Sequence, residues 1–298
     1  MYDVIIIGRG PAGLSASLYT SRAGLSTLVI GKFGGSLLKV GRIDNYFGHF
    51  GPQNGEDLLK ASEKQALAFD VEIIDAEVIK IGRNEVFEIL TSGGKYTGKA
   101  VLIATGINRK TPPIKKIKDF ENKGVAYCTA CDGFYYKDMK VGVLGYRDYA
   151  VHEAIELSHL TKHVKIYTNG EKLQMSENFK DEIKNITIDE RRVIELEGEN
   201  FLQNIVFEDG EKEKIDGLFI AYESASSMDF AKELGLEVDN NTIVTDDEQK
   251  TNVEGVFAAG DCTSKFRQTA TAVGEGALSA RSIIKYVRDL SKKNNERS

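Results

Sequence analysis

The stretch DVIIIGRGPAGLSASLYTSRAGLSTLVIG, residues 3–31, constrains the fold more than any other part of the chain. Its unbroken β-branched run fits a strand buried on both faces, as in a parallel sheet. The run ends in Gly8-Arg9-Gly10-Pro11-Ala12-Gly13, and an Ala-, Leu- and Ser-rich helical pattern follows before a second strand at 26–30. This is the layout of a dinucleotide-binding βαβ unit. Gly8 permits the tight turn, Gly10 lets backbone approach a pyrophosphate, and Gly13 lets helix and strand pack closely. The helix N-terminus faces the anion. The glycine pattern alone is weak, since a tight βα turn can show it too; its place between a strand and a helix favours the dinucleotide. One part is missing: the acid that would hold a ribose hydroxyl at the end of the second strand is Gly31. Lys32 and the loop 33–37 are expected to do some of that work.

A second strand–turn–helix unit runs over 140–167, with HVKIY as its second strand. Its turn reads Gly145-Tyr146-Arg147-Asp148-Tyr149-Ala150, so Arg147 stands where the pattern wants a second glycine. KAVLIATG at 99–106 and GVFAAGDC at 255–262 are further buried strands ending in turns, and a long small-residue helix is expected over 270–290. Residues 71–90 read as alternating strands with a turn at Arg83 and Asn84. Breaks at Pro112-Pro113 and near 237–247 divide the chain. The expected fold is α/β, with two Rossmann-like doubly wound domains. Residues 1–112 and 239–298 form a discontinuous outer domain, and 113–238 are a central domain inserted into it.

With 298 residues, 41% hydrophobic and 28% charged, the chain has the composition of an ordinary globular protein. A net charge of −6 gives no support for nucleic-acid binding. No apolar run approaches the roughly 20 residues that span a bilayer. The N-terminus reads at once as a strand, so no signal peptide is expected and a cytoplasmic location is the default. Three cysteines do not make the disulfide framework of a secreted domain.

Two of those cysteines stand in Cys128-Thr129-Ala130-Cys131, followed by Asp132. At that spacing they share one side of a helical turn and can close a small disulfide ring. A structural zinc would need four ligands. Cys262 is isolated and the histidines show no paired spacing with it, so no metal is expected. Asp132 is either a surface carboxylate or the group that moves protons as the disulfide opens and closes.

These pieces together resemble the low-molecular-weight thioredoxin reductases over nearly the whole chain. The motifs are GRGPAG, GGSL, DNYFG, LIATG, GVAYCTACDGFYY and GVFAAGDC…RQTATAVGEGALSA. The resemblance implies FAD in the outer domain, a mobile central domain carrying the dithiol, thioredoxin as partner, and a homodimer. It implies that Cys131 faces the flavin, that Cys128 attacks the partner's disulfide, and that Asp132 is the proton-transfer acid. It places FAD against Gly8, Gly10, Pro11, Ala12, Gly13, Lys32, Gly35, Ser36, Asn45, Val78, Ala104, Thr105, Gly106, Gly260, Asp261, Arg267, Gln268 and Thr269. Asp261 matches the residue near the ribityl chain and Asn45 the one near the isoalloxazine. Ser36 stands where the family usually has glutamine.

The departures fall in the central domain. The second glycine loop carries Tyr146, Arg147 and Tyr149; the family's arginine cluster for a 2′-phosphate aligns with Thr168, Asn169, Gly170 and Gln174; and the late strand runs FIAYESASS in place of a G-x-x-P-type turn. The sequence thus resembles most the ferredoxin-dependent flavin thioredoxin reductases, in which reduced ferredoxin is the electron donor. Its docking patch is expected at Lys110, Lys115, Lys116 and Lys118, or at Arg191 and Arg192. Three other readings stay open: an NADPH-dependent enzyme with atypical contacts, a two-flavin disulfide oxidoreductase, and a non-catalytic flavin-bound thiol sensor.

Overall fold

The structure, a computed structural model, describes residues 1–48, 53–107, 112–264 and 266–297. Strand β1 (Tyr2–Ile7), helix α1 (Pro11–Arg22) and β2 (Thr27–Ile30) come first. Then come α2 (Gly55–Leu67), β3 (Glu72–Ile74), β4 (Val78–Arg83), β5 (Phe87–Thr91) and β6 (Gly94–Ile103). The middle holds β7 (Val125–Ala126), α3 (Thr129–Asp132), β8 (Val141–Leu144), α4 (Asp148–Ser158), β9 (Val164–Tyr167) and β10 (Thr187–Asp189). Strands β11 (Val193–Glu197), β12 (Asn204–Phe207), β13 (Lys212–Lys214) and β14 (Gly217–Ile220) complete it. The last stretch is α5 (Ser227–Leu234), β15 (Val238–Asp239), β16 (Thr242–Ile243), β17 (Val256–Ala258) and α6 (Thr269–Arg297).

The chain divides into two units, 1–108 with 226–298, and 109–225. The first crossing adjoins residues 108–111, which lie outside the described ones. The second falls at 225, not at the expected 238. Helix α5 is the reason. A capping box between Ser226 and Asp229 starts it, Glu233 on it accepts the Ile81 N–H at 3.1 Å, and Ser227 Oγ donates to Gly106 O at 3.2 Å. These bonds tie α5 to the outer unit.

In the outer unit the sheet order is β3-β2-β1-β6-β5-β4. Strands β3, β2, β1 and β6 run parallel. The long β6 changes partners along its length: residues 94–98 pair antiparallel with β5, and 101–103 pair parallel with β17. The β-branched run of β1 is buried on both faces. Val4 and Ile6 face the cluster that α1, α2 and α6 bury against the sheet. Helices α1 and α6 approach closely: a Cβ at Gly276 would lie 2.2 Å from Ala12 O. Only glycine fits that contact.

The inner unit has a parallel sheet in the order β10-β9-β8-β14-β7 and a separate antiparallel sheet β11-β12-β13. Leu144, Leu218 and Ile220 of the first share a core with Val193, Leu196, Ile205 and Phe207 of the second. Both sheets are therefore held by one apolar layer. Among the described residues no helix is long and apolar enough to cross a membrane.

Candidate functional site

The turn after β1 is built by three glycines for two different reasons. Gly8 has φ of 120°, and a Cβ there would lie 2.1 Å from Ala104 O. A Cβ at Gly13 would lie 2.0 Å from Gly8 O. Both are demanded by the fold. Gly10 is different. Its φ of −98° and ψ of −174° are extended backbone that any residue adopts, and no atom lies within 4 Å of where its Cβ would be. Nothing inside the protein asks for glycine there, so what asks for it comes from outside. Gly10 is the N-cap of α1, with Pro11 in the first turn, and its neighbouring amides face an open cradle suited to a pyrophosphate.

The other expected contacts converge on this turn. Ala104 touches Gly8, as above, and Thr105 Oγ1 is buried without a protein partner, which fits a polar ligand beside it. A Cβ on Gly260 would lie 2.9 Å from Ala12 Cβ, so the strand end that carries Asp261 abuts α1. Burial pushes the Asp261 carboxyl up, with Arg267 opposing. Asn45 Nδ2 donates to Gln268 Oε1 at 3.0 Å, joining two expected contacts from opposite ends of the chain. Pro11, Ser15, Leu37, Tyr46 and Thr269 line a small pocket of about 80 Å³. Gly35, with φ of 96°, and Ser36 begin the short helical turn after β2, and nothing lies within 4 Å of a Cβ on Gly35. These features fit a flavin dinucleotide. Val78 opens β4, paired with Thr91, three residues after Asp75.

Two residues in this region escaped the sequence reading. Glu275 accepts from Gly260 N at 2.7 Å and from Thr263 Oγ1 at 2.9 Å, so it fixes the Asp261 loop to α6. The neighbouring Gly276 was a usable clue, since a glycine inside a helix can mark a close approach, here to Ala12 O. Asp75 follows β3 and contacts Arg9, Lys32 and Phe33; no spacing rule pointed to it.

In the inner unit, Cys128 and Cys131 form a disulfide. Strand β7 delivers Cys128 to the start of α3, where its Sγ accepts the Cys131 N–H at 3.2 Å. The Thr129 N–H donates to Glu153 Oε2 of α4 at 3.1 Å. Glu153, also missed from sequence, thus anchors the dithiol turn to the helix behind it. Tyr136 packs edge-on against Phe219 with centroids 5.2 Å apart. Burial, and then the Asp132 charge, push its phenol up. Cys128 is only 7% exposed, whereas Cys131 is exposed. The sulfur expected to meet an outside partner is the covered one. No group of three His, Cys, Asp or Glu side chains is placed to hold a metal among the described residues.

The second glycine loop repeats the first in backbone and reverses it in side chains. Arg147, the N-cap of α4, has φ of −124° and ψ of 179°, the same extended region as Gly10. Gly145 keeps the tight turn, since a Cβ would lie 2.1 Å from Ala221 O. The space that Gly10 leaves open carries an arginine here. The Arg147 guanidinium lies 5.2 Å from the Tyr146 ring centroid, and Tyr146 meets Tyr222 edge-on at 5.3 Å. Tyr146 and Tyr149 are buried, and Gln174 N donates to Tyr146 O at 2.7 Å. Glu223, at φ of 72°, places a carboxylate 3.4 Å from Tyr146 Oη. Asn169 is likewise occupied, accepting from Val193 N at 2.8 Å.

A cation stands beside one of the positions aligned with the family's arginine cluster. A Cβ on Gly170 would lie 3.8 Å from Arg192 Nε, and Arg192 in turn lies 3.7 Å from Glu208. The expected docking patches are also largely compensated. Lys116 pairs with Glu195 and Arg191 with Asp189, each at 2.7 Å. Lys110 lies outside the described residues.

Comparison with known proteins agrees with this geometry. The family described as "Pyridine nucleotide-disulphide oxidoreductase" matches residues 2–276. A thioredoxin reductase of Treponema pallidum (strain Nichols) is 36% identical over 96% of this chain and 97% of its own. The crystal structure of "the atypical thioredoxin reductase TRi from Desulfovibrio vulgaris Hildenborough" has a TM-score of 0.92 and 42% identity, covering 97% of this chain and 99% of that one. That of a "Ferredoxin-Flavin Thioredoxin Reductase" from Clostridium acetobutylicum has a TM-score of 0.71 and 29% identity, covering 97% and 98%.

Proposed function

The chain belongs to the pyridine nucleotide-disulphide oxidoreductase family and is a thioredoxin reductase flavoprotein that uses FAD; from that premise we propose that it draws electrons from reduced ferredoxin, not from NADPH, and delivers them through Cys128 and Cys131 to thioredoxin. One observation carries the donor reading: positions 10 and 147 share a backbone conformation, yet one is bare and the other filled by Arg147 against Tyr146. A pyrophosphate needs the bare form. The ferredoxin-flavin relative from Clostridium acetobutylicum, alike in fold, supports the same donor. The energetics agree. A plant-type ferredoxin near −400 mV and thioredoxin near −270 mV differ by about 130 mV, or roughly 6 kcal/mol for two electrons.

When bound, FAD supplies the exchange between one-electron and two-electron chemistry. The loop from Gly8 to Gly13 would hold its pyrophosphate on the α1 amides. Lys32, Gly35, Ser36 and Thr105 would border it, Asp261 would accept ribityl hydroxyls, and Asn45 and Gln268 would orient each other beside the ring. In the inner unit two electrons and two protons open the disulfide to two thiols, and Asp132 carries a proton to the sulfur that leaves. The Cys128 thiolate then attacks one sulfur of the partner disulfide and the other departs, giving a mixed disulfide. The Cys131 thiolate attacks Cys128 Sγ, which restores the intramolecular disulfide and releases the partner as a dithiol. We take the protein to act as a homodimer, as the resemblance implies.

Anaerobic stopped-flow separates the donors. Reduced ferredoxin is expected to bleach the flavin and support thioredoxin reduction, and NADPH to do neither. Arg192 beside Gly170 favours the second reading, an NADPH enzyme with unusual contacts. Rapid, saturable bleaching by micromolar NADPH would establish that reading and remove the ferredoxin one.

A further inference from the structure

Gly31 ends β2 where a dinucleotide fold usually carries the acid that holds the adenosine ribose. The structure shows why no side chain stands there: a Cβ would lie 3.0 Å from Arg9 N and 3.2 Å from Arg9 Cβ. The neighbouring strand supplies an acid at the same level. Gly31 N donates to Ile74 O at 3.1 Å, and Asp75 is the next residue. Both lie at the C-terminal edge of the parallel strands, the edge at which such sheets bind dinucleotides.

Asp75 joins the two segments that border that edge. Its Oδ2 accepts from Arg9 Nη1 of the glycine loop at 3.0 Å and from Phe33 N of the loop after β2 at 3.2 Å. Its Oδ1 lies 3.4 Å from Lys32 Nζ. Arg9 is held in turn by an ion pair with the buried Glu63 of α2, and it stacks over Phe33 at 5.5 Å. An ionised carboxylate has about four acceptor positions. Oδ2 has used its two, and Oδ1 keeps room, with the side chain 53% exposed. Burial pulls the Asp75 carboxyl up, but the Phe33 N–H, Lys32 and Arg9 outweigh it and hold the group below its ordinary range. It is therefore an acceptor at neutral pH.

We propose that Asp75 holds a hydroxyl of the adenosine ribose of FAD, in place of the acid missing at position 31, with Arg9 and Lys32 as the residues that position its carboxylate. The proposal rests on the FAD reading and goes beyond it, since it assigns the adenosine end to a strand that the glycine pattern does not reach.

The test deletes the bond from both sides. Holoenzyme is loaded by exchange with FAD, or with FAD analogues lacking the 2′- or the 3′-hydroxyl of the adenosine ribose. Flavin release on dilution is followed by fluorescence. Wild-type protein is expected to release one analogue roughly 10- to 100-fold faster than FAD, the loss typical of a hydrogen bond to a charged group. Asp75→Ala is expected to release FAD as fast as that analogue and no longer to discriminate; Asp75→Ser serves if the first variant fails to accumulate. Were Asp75 only a tie between loops, its loss would speed the release of every flavin by one factor and leave the ratio intact, and that result overturns the proposal. Equal release of all three flavins from wild-type protein overturns it too. Protein purified without any flavin would instead sink the FAD reading on which it rests.

Discussion

Position 10 and position 147 take the same extended backbone and opposite side chains, and on the proposed reading this contrast separates a site that receives a dinucleotide from one that does not. Gly10→Val should fold, because the backbone suits valine and no atom lies within 4 Å of the new Cβ. Purified variant should nonetheless be colourless; full flavin occupancy would show that the pyrophosphate does not sit on this turn. Cys262 tests the opposite kind of residue. It is fully buried, its thiol donates weakly to Ile103 O and Ala259 O, and burial pushes it up to about 12. An unfolded cysteine titrates near 8.5. The stability linked to Cys262 is therefore complete below about pH 8.5 and is lost as pH rises toward 12. Iodoacetamide at pH 8 should label Cys128 and Cys131 in reduced native protein and reach Cys262 only after unfolding; Cys262→Ser should keep turnover and flatten the alkaline loss of stability. Rapid native labelling at Cys262 would contradict its burial. The glycines were legible in the sequence because a turn of this kind has few solutions. Asp75 and Glu153 were not, because each acts on a backbone N–H or side chain far away in sequence, and no local spacing records such a partner.

At the scale of elements, the dithiol turn is a four-residue helix that could not hold itself in water. Its anchor is the bond from Thr129 N to Glu153 on α4. Glu153→Gln keeps an acceptor at that place and should retain most activity. Glu153→Leu leaves the Thr129 N–H without a partner, at a cost of about 1–3 kcal/mol, and should lower thioredoxin reduction several-fold while flavin content stays full. Equal activity in both variants would show that α4 does not position the turn. Helix α5 gives a stability test of the boundary at 225. Ser226→Ala removes its capping box and should cost about 1 kcal/mol in urea unfolding, without changing the flavin spectrum. Parallel strands such as β1 and β8 were legible as continuous apolar runs. The sheet β11-β12-β13 was not, because its strands are short, β13 is wholly charged (KEK) and β11 (VIELE) mixes charged with apolar residues, patterns that suit a solvated loop equally well. Helix α5 was assigned to the wrong side of the boundary for a related reason: a composition break near 238 is visible in sequence, but the hydrogen bonds that claim α5 for the outer unit are not.

For the whole molecule, the insertion of one α/β unit into another could be read from two related βαβ patterns and a late strand that returns to the first sheet, where β17 pairs with β6. What the pattern could not show is which sulfur of the dithiol is accessible. The resemblance assigns attack on the partner to Cys128, yet Cys128 is 7% exposed and Cys131 is the exposed sulfur. Thiol–disulfide exchange needs the attacking sulfur to reach the partner's disulfide directly, so Cys128 can serve only if the molecule has a second arrangement that uncovers it. The expected sequence of events is therefore disulfide reduction in one arrangement and transfer in another. A thioredoxin lacking its second active-site cysteine, supplied as an activated mixed disulfide, traps whichever sulfur attacks. Cys131→Ser, which leaves Cys128, should form the stable adduct with thioredoxin, and Cys128→Ser should form little. Iodoacetamide labelling of Cys128 in the Cys131→Ser variant should be slow, limited by uncovering, and should not rise in proportion to reagent at high concentration. Capture by Cys128→Ser alone, through the sulfur already exposed, would reverse the roles of the two cysteines and remove the need for any rearrangement.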